Sequence, residues 1–129
     1  MKKSEFPELE AMKKLLNEKK TENVVVLDVR ERSPFSSYWI LATVSNFRAL
    51  GAIADDVEEE FAKLGLDVKR DGIAESGWVV IEGGEVVVHL FMEVNRKEID
   101  FEGMIEWEKE KRKKASSRAE AKKEAEAEE

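Results

Sequence analysis

The side chains of this sequence that could do chemistry are few, and most familiar catalytic constellations cannot be assembled from them. There is a single histidine, His89, and no cysteine. A zinc site of ordinary composition needs more imidazole or thiolate than that. Without cysteine there is neither a disulfide framework nor a thiol nucleophile. A serine–histidine–carboxylate triad would have to recruit His89 from mid-strand, and no serine elbow accompanies it. The runs GxGxxG, GxxxxGK(S/T) and GxSxG do not occur. Asp28 ends a short apolar run, a place where α/β proteins often put functional groups. The simpler reading is that its carboxylate accepts loop N–H groups and opens a turn at Arg30. Asp55, Asp56 and Glu58–Glu60 look like cation ligands. On a helix whose Ile53, Val57 and Phe61 face a core, however, most of them point to water. The residues therefore predict no catalytic group, no metal site and no cofactor.

The stretch WVVIEGGEVVVHLF at 78–91 carries more information. Two apolar runs flank Gly83-Gly84, a strong hairpin signal because both glycines can adopt positive φ. With those two as the loop, Glu82 lies opposite Glu85, Ile81 opposite Val86, Val80 opposite Val87, Val79 opposite Val88 and Trp78 opposite His89. Alternation then puts Trp78, Val80, Glu82, Glu85, Val87 and His89 on one face. Val79, Ile81, Val86, Val88 and Leu90 occupy the other, an aliphatic core face. The first face combines an indole, two valines, an imidazole and two opposed carboxylates. Like charges across a ladder are unfavourable by themselves but suit a site that meets Lys or Arg of a partner. An aromatic and aliphatic centre with a charged rim is how a protein interface reads; the plainer alternative is that a helix covers Trp78 and that Glu82 and Glu85 are a solvated turn.

These residues need a scaffold, and the rest of the chain supplies its elements. Ser4 is placed to cap a first helix with Pro7 in its first turn and Phe6, Leu9, Met12, Leu15 and Leu16 on one face. Val24–Val29 reads as a strand buried on both faces. A loop with Pro34 leads to a second strand, Tyr38–Val44. Phe47, Leu50, Ile53, Ala54, Val57, Phe61 and Leu64 mark a long amphipathic helix that Gly65 ends. Leu66–Arg70 is a candidate third strand, the hairpin supplies two more, and Glu93–Trp107 holds one or two short helices. This order predicts an α/β or α+β sandwich, a mixed sheet of about five strands with helices packed on it.

Length and charge set the outer bounds. At 129 residues the chain has room for one sizeable domain. Charged residues make up 40% of it, well above the usual quarter. The net charge of −7 argues against a general DNA or RNA binder and leaves open a basic protein as partner. Residues 108–129 hold eight basic and seven acidic side chains, which leaves 14 and 22 in residues 1–107 and a body near −8. The expected division is thus a domain at 1–107 and a charged extension at 108–129, a frayed helix or disordered tail with nothing large and apolar to pack. Its basic block, Lys109, Lys111, Arg112, Lys113 and Lys114, is either a solvated appendage or a contact to RNA. No apolar run approaches the ~18 residues needed to span a bilayer, and MKKSEFPELEAMKKLL is too acidic for a secretory leader. The expectation is a soluble cytoplasmic protein.

The hairpin also resembles the signature of the Iojap, or ribosomal silencing factor S, family, whose members show W-V-L-L-D-Y-G-D-V-V-V-H-x-F. Trp78, Gly84, Val86–Val88, His89 and Phe91 match, Glu82 and Glu85 stand for aspartates, and Gly83 replaces an aromatic. VVVLDVRERSPFSSYWILAT is similar to the family's I-V-V-L-D-V-x-x-x-S-x-x-x-D-Y-F-V-I-A-T. Asp28, Ser33, Tyr38, Ile40, Ala42 and Thr43 are kept there, with Ser37 for an aspartate and Trp39 for a phenylalanine. SNFRALGAIADDVEEE resembles a third block, with an extra residue near Phe47. Arg96 and Phe101-Glu102 fit a fourth, where Ile99 takes the place of a tyrosine. Four blocks in order cover about residues 5–102, and Trp107 echoes a terminal Leu-Trp.

The resemblance implies a compact α/β domain and no catalysis. It implies binding to the large ribosomal subunit through the basic ribosomal protein numbered fourteen on the intersubunit face. Docking of the small subunit would be blocked sterically and translation repressed. By the same resemblance Tyr38 joins Trp78, Val80, Glu82, Glu85, Val87 and His89 as a partner-binding residue. An aromatic lost at Gly83 would thin that interface. A large-subunit assembly factor using the same surface is the alternative. A nucleotidyltransferase-like enzyme is a third reading, but the Gly-Ser turn and D-x-D or D-x-E pair it needs for Mg²⁺ are missing. Partners other than the ribosome reduce to a second copy of the chain, through the hairpin or an edge strand; neither DNA nor a membrane is implied.

Overall fold

The computed structural model describes residues 6–31 and 36–104. Ser4, Ser33, Pro34, Trp107 and the extension 108–129 lie outside the described residues. The chain separates into two units, Met1–Glu98 and Ile99–Glu129. In the first, helix α1 (Pro7–Glu18) is followed by strands β1 (Thr21–Asp28) and β2 (Tyr38–Val44), helix α2 (Phe47–Lys63) and strand β3 (Val68–Asp71). A 3₁₀ turn at Ala74–Ser76 leads to β4 (Trp78–Gly83) and β5 (Val86–Phe91), and helix α3 (Glu93–Ile99) ends one residue past the boundary. Of the second unit, residues 101–104 form one helical turn. Asp100 starts it at φ 47°, its Oδ1 accepting the Gly103 N–H at 3.2 Å.

Local chemistry accounts for the helix bounds. Pro7 occupies the first turn of α1, where its fixed φ suits a helix and its missing N–H costs nothing. Phe6 is the N-cap and makes no side-chain cap bond. Glu8 and Glu10 in that turn complement the helix dipole. At the start of α2 the side-chain Oδ1 of Asn46 accepts the Ala49 N–H at 2.8 Å, an N-cap typically worth about 1 kcal/mol. Gly65 at φ 77° closes it, with Leu66 N–H donating back to the Phe61 carbonyl at 3.2 Å. The expected stripe of α2 is buried from Leu50 to Phe61, while Phe47 and Leu64 at its ends are exposed.

The five strands form one mixed sheet in the order β1-β2-β5-β4-β3. Among the described residues only the pair β2 and β5 is parallel; the other pairings are antiparallel. Helices α1 and α2 pack on one face, where Ile40, Ala42, Val44, Val79, Ile81, Val86, Val88 and Leu90 meet Leu9, Met12, Leu16, Leu50, Val57 and Phe61. Two sequence expectations change here. Strand β1 is not buried on both faces; it pairs with β2 alone at a sheet edge, with Val26 36% exposed. Its short apolar run is a half-covered edge, which periodicity cannot tell from a buried strand. A bulge between Glu22 and Val25 bends that edge. Arg96 Nη1 fastens it by donating to the Asn23 carbonyl at 2.7 Å and to Thr43 Oγ1 at 2.8 Å.

The hairpin register is the second change. Gly83 pairs with Val86, Glu82 with Val87, Val80 with His89 and Trp78 with Phe91. The loop is therefore Gly84-Glu85, not Gly83-Gly84. Only Gly84 has the left-handed φ, 58°. Gly83 is the last residue of β4 and is buried on the helix side, where a Cβ would collide with the ring of Phe61. Close packing, not turn geometry, fixes its identity. Among the described residues no helix is long and apolar enough to cross a membrane.

Candidate functional site

The register decides which side chains share the sheet face opposite α1 and α2. Alternation along β4 and β5 places Trp78, Val80, Glu82, Val87, His89 and Phe91 together. Pairing of β2 with β5 brings Trp39, Leu41 and Thr43 alongside them. Beyond Glu82, Lys69 of β3 lies directly across the ladder. Trp78, Val80, Glu82, Val87 and Trp39 are half-buried, while Leu41 and Phe91 are buried.

His89 sits at the centre of this face and is 5% exposed. Its ring lies 4.9 Å from that of Trp39, 6.1 Å from Trp78 and 5.8 Å from Phe91. Trp78 and Phe91 stack at 5.7 Å. Trp78 Nε1 donates to His89 Nδ1 at 3.3 Å, so the neutral ring carries its proton on Nε2. Burial pushes the imidazole pKa down from 6.5 to about 4, because desolvation penalises the cation. At neutral pH His89 is thus an uncharged aromatic in a packed cluster rather than a cationic contact or a proton carrier.

Two of the sequence-predicted site residues fall elsewhere. Glu85 is in the turn, not opposite Glu82, and the expected pair of facing carboxylates does not exist. Instead its Oε2 accepts the Ser37 hydroxyl at 2.9 Å. Its backbone carbonyl accepts the N–H groups of Ser37 and Tyr38 at 2.8 and 3.1 Å. Tyr38 alternates to the helix-covered face, where its ring meets Phe6 edge-on at 5.7 Å. The Arg30 guanidinium lies 5.5 Å above the same ring and also holds Asp28 through a 2.6 Å bond. Asp28 Oδ1 accepts the Arg30 N–H at 3.1 Å, the loop role its position predicted. Gly83 also faces the helices, so an aromatic at that position would not have joined this face.

Sequence reasoning missed Trp39, Leu41 and Phe91 as members of the face. The alternation of β2 was legible, but nothing local announced that β2 lies parallel to β5. The carboxylates of α2 make surface contacts: Asp55 and Glu58 accept from Arg70 Nη1 at 2.6 and 3.1 Å. Among the described residues no group of three or more His, Cys, Asp or Glu side chains is placed to hold a metal ion. On the helix side a groove of about 430 Å³ separates α1 from α2, lined by Lys14, Glu18, Lys19, Asp56, Glu59 and Lys63 among others. Four of its charges pair across or along it, Lys19 with Asp56 at 3.3 Å and Lys63 with Glu59 at 3.5 Å.

Comparisons with known proteins point one way. The model of the RsfS family, described as ribosomal silencing factor during starvation, matches residues 2–129. A ribosomal silencing factor of Bacillus subtilis is 28% identical over 87 residues, covering 67% of this chain and 74% of that protein. One from Chromobacterium violaceum is 29% identical over 90 residues, covering 69% and 74%. A crystal structure of a protein from Chromobacterium violaceum superposes with a TM-score of 0.69 at 25% identity, over 77% of this chain and 86% of the other. One from Bacillus halodurans gives 0.66 at 25% identity, over 74% and 90%.

Proposed function

This chain belongs to the RsfS family of ribosomal silencing factors, and from that membership we propose that it docks on the large ribosomal subunit and silences translation by occupying the surface the small subunit needs. As in the family, its role is regulatory and depends on association with the ribosome. The observation that carries the docking assignment is the sheet face around His89. It combines large aromatic and aliphatic side chains with an acidic margin at Glu82 and, in the adjoining turn, Glu85. Aromatic anchors supply most of the affinity of such surfaces, while charges at the rim steer encounter. The partner is a basic protein of the intersubunit face, the ribosomal protein numbered fourteen. The net charge of −7 favours that approach over a grip on RNA phosphate.

The proposed contact residues are Trp78, Val80, Glu82, Glu85 and Val87, with His89 as the packed centre behind them. Tyr38 contributes through the loop it anchors. The mechanism is steric and asks for no catalytic group. A domain ~25–30 Å across on the intersubunit face excludes the small subunit from the same space. Residues 1–107 form the docking domain in this reading, 108–129 are an extension, and the protein acts in the cytoplasm. Co-sedimentation with purified large and small subunits, followed by addition of the missing subunit, tests it. The expected result is binding to large subunits alone, with joining suppressed. Binding without suppression would replace silencing by a role in subunit assembly, and no binding would remove the ribosomal reading.

A further inference from the structure

The acidic turn beside the docking face is held from behind by a residue of the first helix. Glu8 is a carboxylate only 7% exposed, an unusual location for an acidic side chain. Its Oε2 accepts the Glu85 N–H at 3.3 Å across 77 residues of chain. Gly84 is pressed against the same carboxylate, so closely that a Cβ there would overlap Glu8 Oε2. On the other side of the turn, Glu85 accepts the N–H groups of Ser37 and Tyr38 and the hydroxyl of Ser37. Glu85 thus bonds to α1 through its N–H and to the start of β2 through its carbonyl and carboxylate. The two strands that carry Trp39 and Trp78 are joined at this point as well as through β5.

We infer that Glu8 is a positioning residue for the docking surface: its buried carboxylate fixes the Gly84-Glu85 turn against α1, so that the Glu85 side chain and the entry to β2 are presented to the partner in one geometry. This rests on the docking reading above. A buried acceptor for a turn amide removes a conformational freedom that binding would otherwise have to remove. Glu8 lies on the helix side of the sheet and acts through Glu85, not by contact.

The test uses the full chain and three variants, Glu8→Ala, Glu8→Gln and Gly84→Ala. Two quantities are measured: hydrogen exchange of the Glu85 amide, and affinity for isolated large subunits. In Glu8→Ala the Glu85 amide exchanges about tenfold faster while amides of Val79 and Ile81 keep their protection, and affinity falls about threefold to tenfold, the loss of one buried hydrogen bond. Glu8→Gln, whose side-chain carbonyl still accepts the bond, stays within about twofold of wild type in both. Gly84→Ala, with Glu8 intact, reproduces the alanine result. Unchanged Glu85 exchange in Glu8→Ala would overturn the inference, and so would faster exchange with unchanged affinity. Equal losses in Glu8→Ala and Glu8→Gln, accompanied by loss of strand protection, would reduce Glu8 to a general stability role and overturn it too. If wild type itself fails to bind large subunits, the docking reading falls, while the exchange data separately decide whether Glu8 holds the turn.

Discussion

The two faces of the sheet are built from the same strands, one residue out of phase, yet they differ in kind. On the helix side β4 and β5 contribute Val79, Ile81, Val86, Val88 and Leu90, all buried and all aliphatic. On the opposite side the same strands contribute Trp78, Val80, Glu82, Val87, His89 and Phe91. The first set packs against two helices and has no polar atom to satisfy. The second carries ring nitrogens that need partners and charges at its margin. A face that only stabilises can be uniform, because burial is roughly proportional to apolar area and indifferent to direction. A face that recognises something needs groups with direction, and aromatic residues with polar handles supply them.

That contrast can be broken most forcefully on the helix side. Phe61→Ala removes a fully buried ring that packs on Gly83. It should cost about 3–5 kcal/mol of stability, read as a lowered urea midpoint, while the folded fraction binds large subunits as wild type does. A selective loss of binding instead would mean that the two faces are not functionally separate.

The face proposed for docking has its own stability signature, and pH reveals it. With the His89 pKa depressed from 6.5 to about 4, the native state holds the ring neutral while the unfolded chain binds a proton. Stability is therefore complete above pH 6.5, declines as pH falls through the window, and has lost about 3 kcal/mol below pH 4. Urea unfolding at pH 7, 5.5 and 4.5 should show this slope in wild type and a flatter one in His89→Gln. Identical slopes would mean that His89 is protonated in the native state without penalty.

Trp78→Ala sharpens the comparison further. It should weaken large-subunit binding by about 2 kcal/mol, close to thirtyfold, as expected for a central aromatic anchor. Its effect on stability should be smaller than that of Phe61→Ala, since Trp78 is half-buried. Co-sedimentation and urea unfolding on the same sample separate the two. The smallest effect is expected at the turn. Glu85→Lys reverses an exposed charge and gives up the Ser37 bond, so affinity should fall by about 1 kcal/mol, mainly through a slower association rate. Raising salt should erase most of the difference. A salt-independent loss would shift the role of Glu85 from steering to structure.

Much of this was legible in the sequence, for reasons that can be named residue by residue. The apolar spacing from Leu50 to Phe61 and the stop at Gly65 specify α2 within the chain itself. The alternation of Val79 and Ile81 with Trp78 and Val80 sorts β4 into two faces whatever it pairs with. For that reason the two-residue displacement of the hairpin left most of the face assignment intact: shifting by two preserves parity. What it changed were the ends. Phe91 became the partner of Trp78, and Glu85 left the ladder for the turn. The functional family was legible too, from four blocks of similarity.

What the sequence by itself determined is therefore the local part: which segments are helix or strand, which side of each is apolar, and how Asp28 and Gly65 stop them. These follow from backbone geometry and from contacts within a few residues. Only the tertiary structure decided that β2 runs parallel to β5 and so puts Trp39 beside His89, that Tyr38 falls on the reverse face, and that Gly83 is small because Phe61 rests on it. It alone seated Glu8 behind the hairpin turn. Each of these depends on two segments far apart in the chain meeting in one register. That choice is made by packing the whole core at once, and no single segment records it.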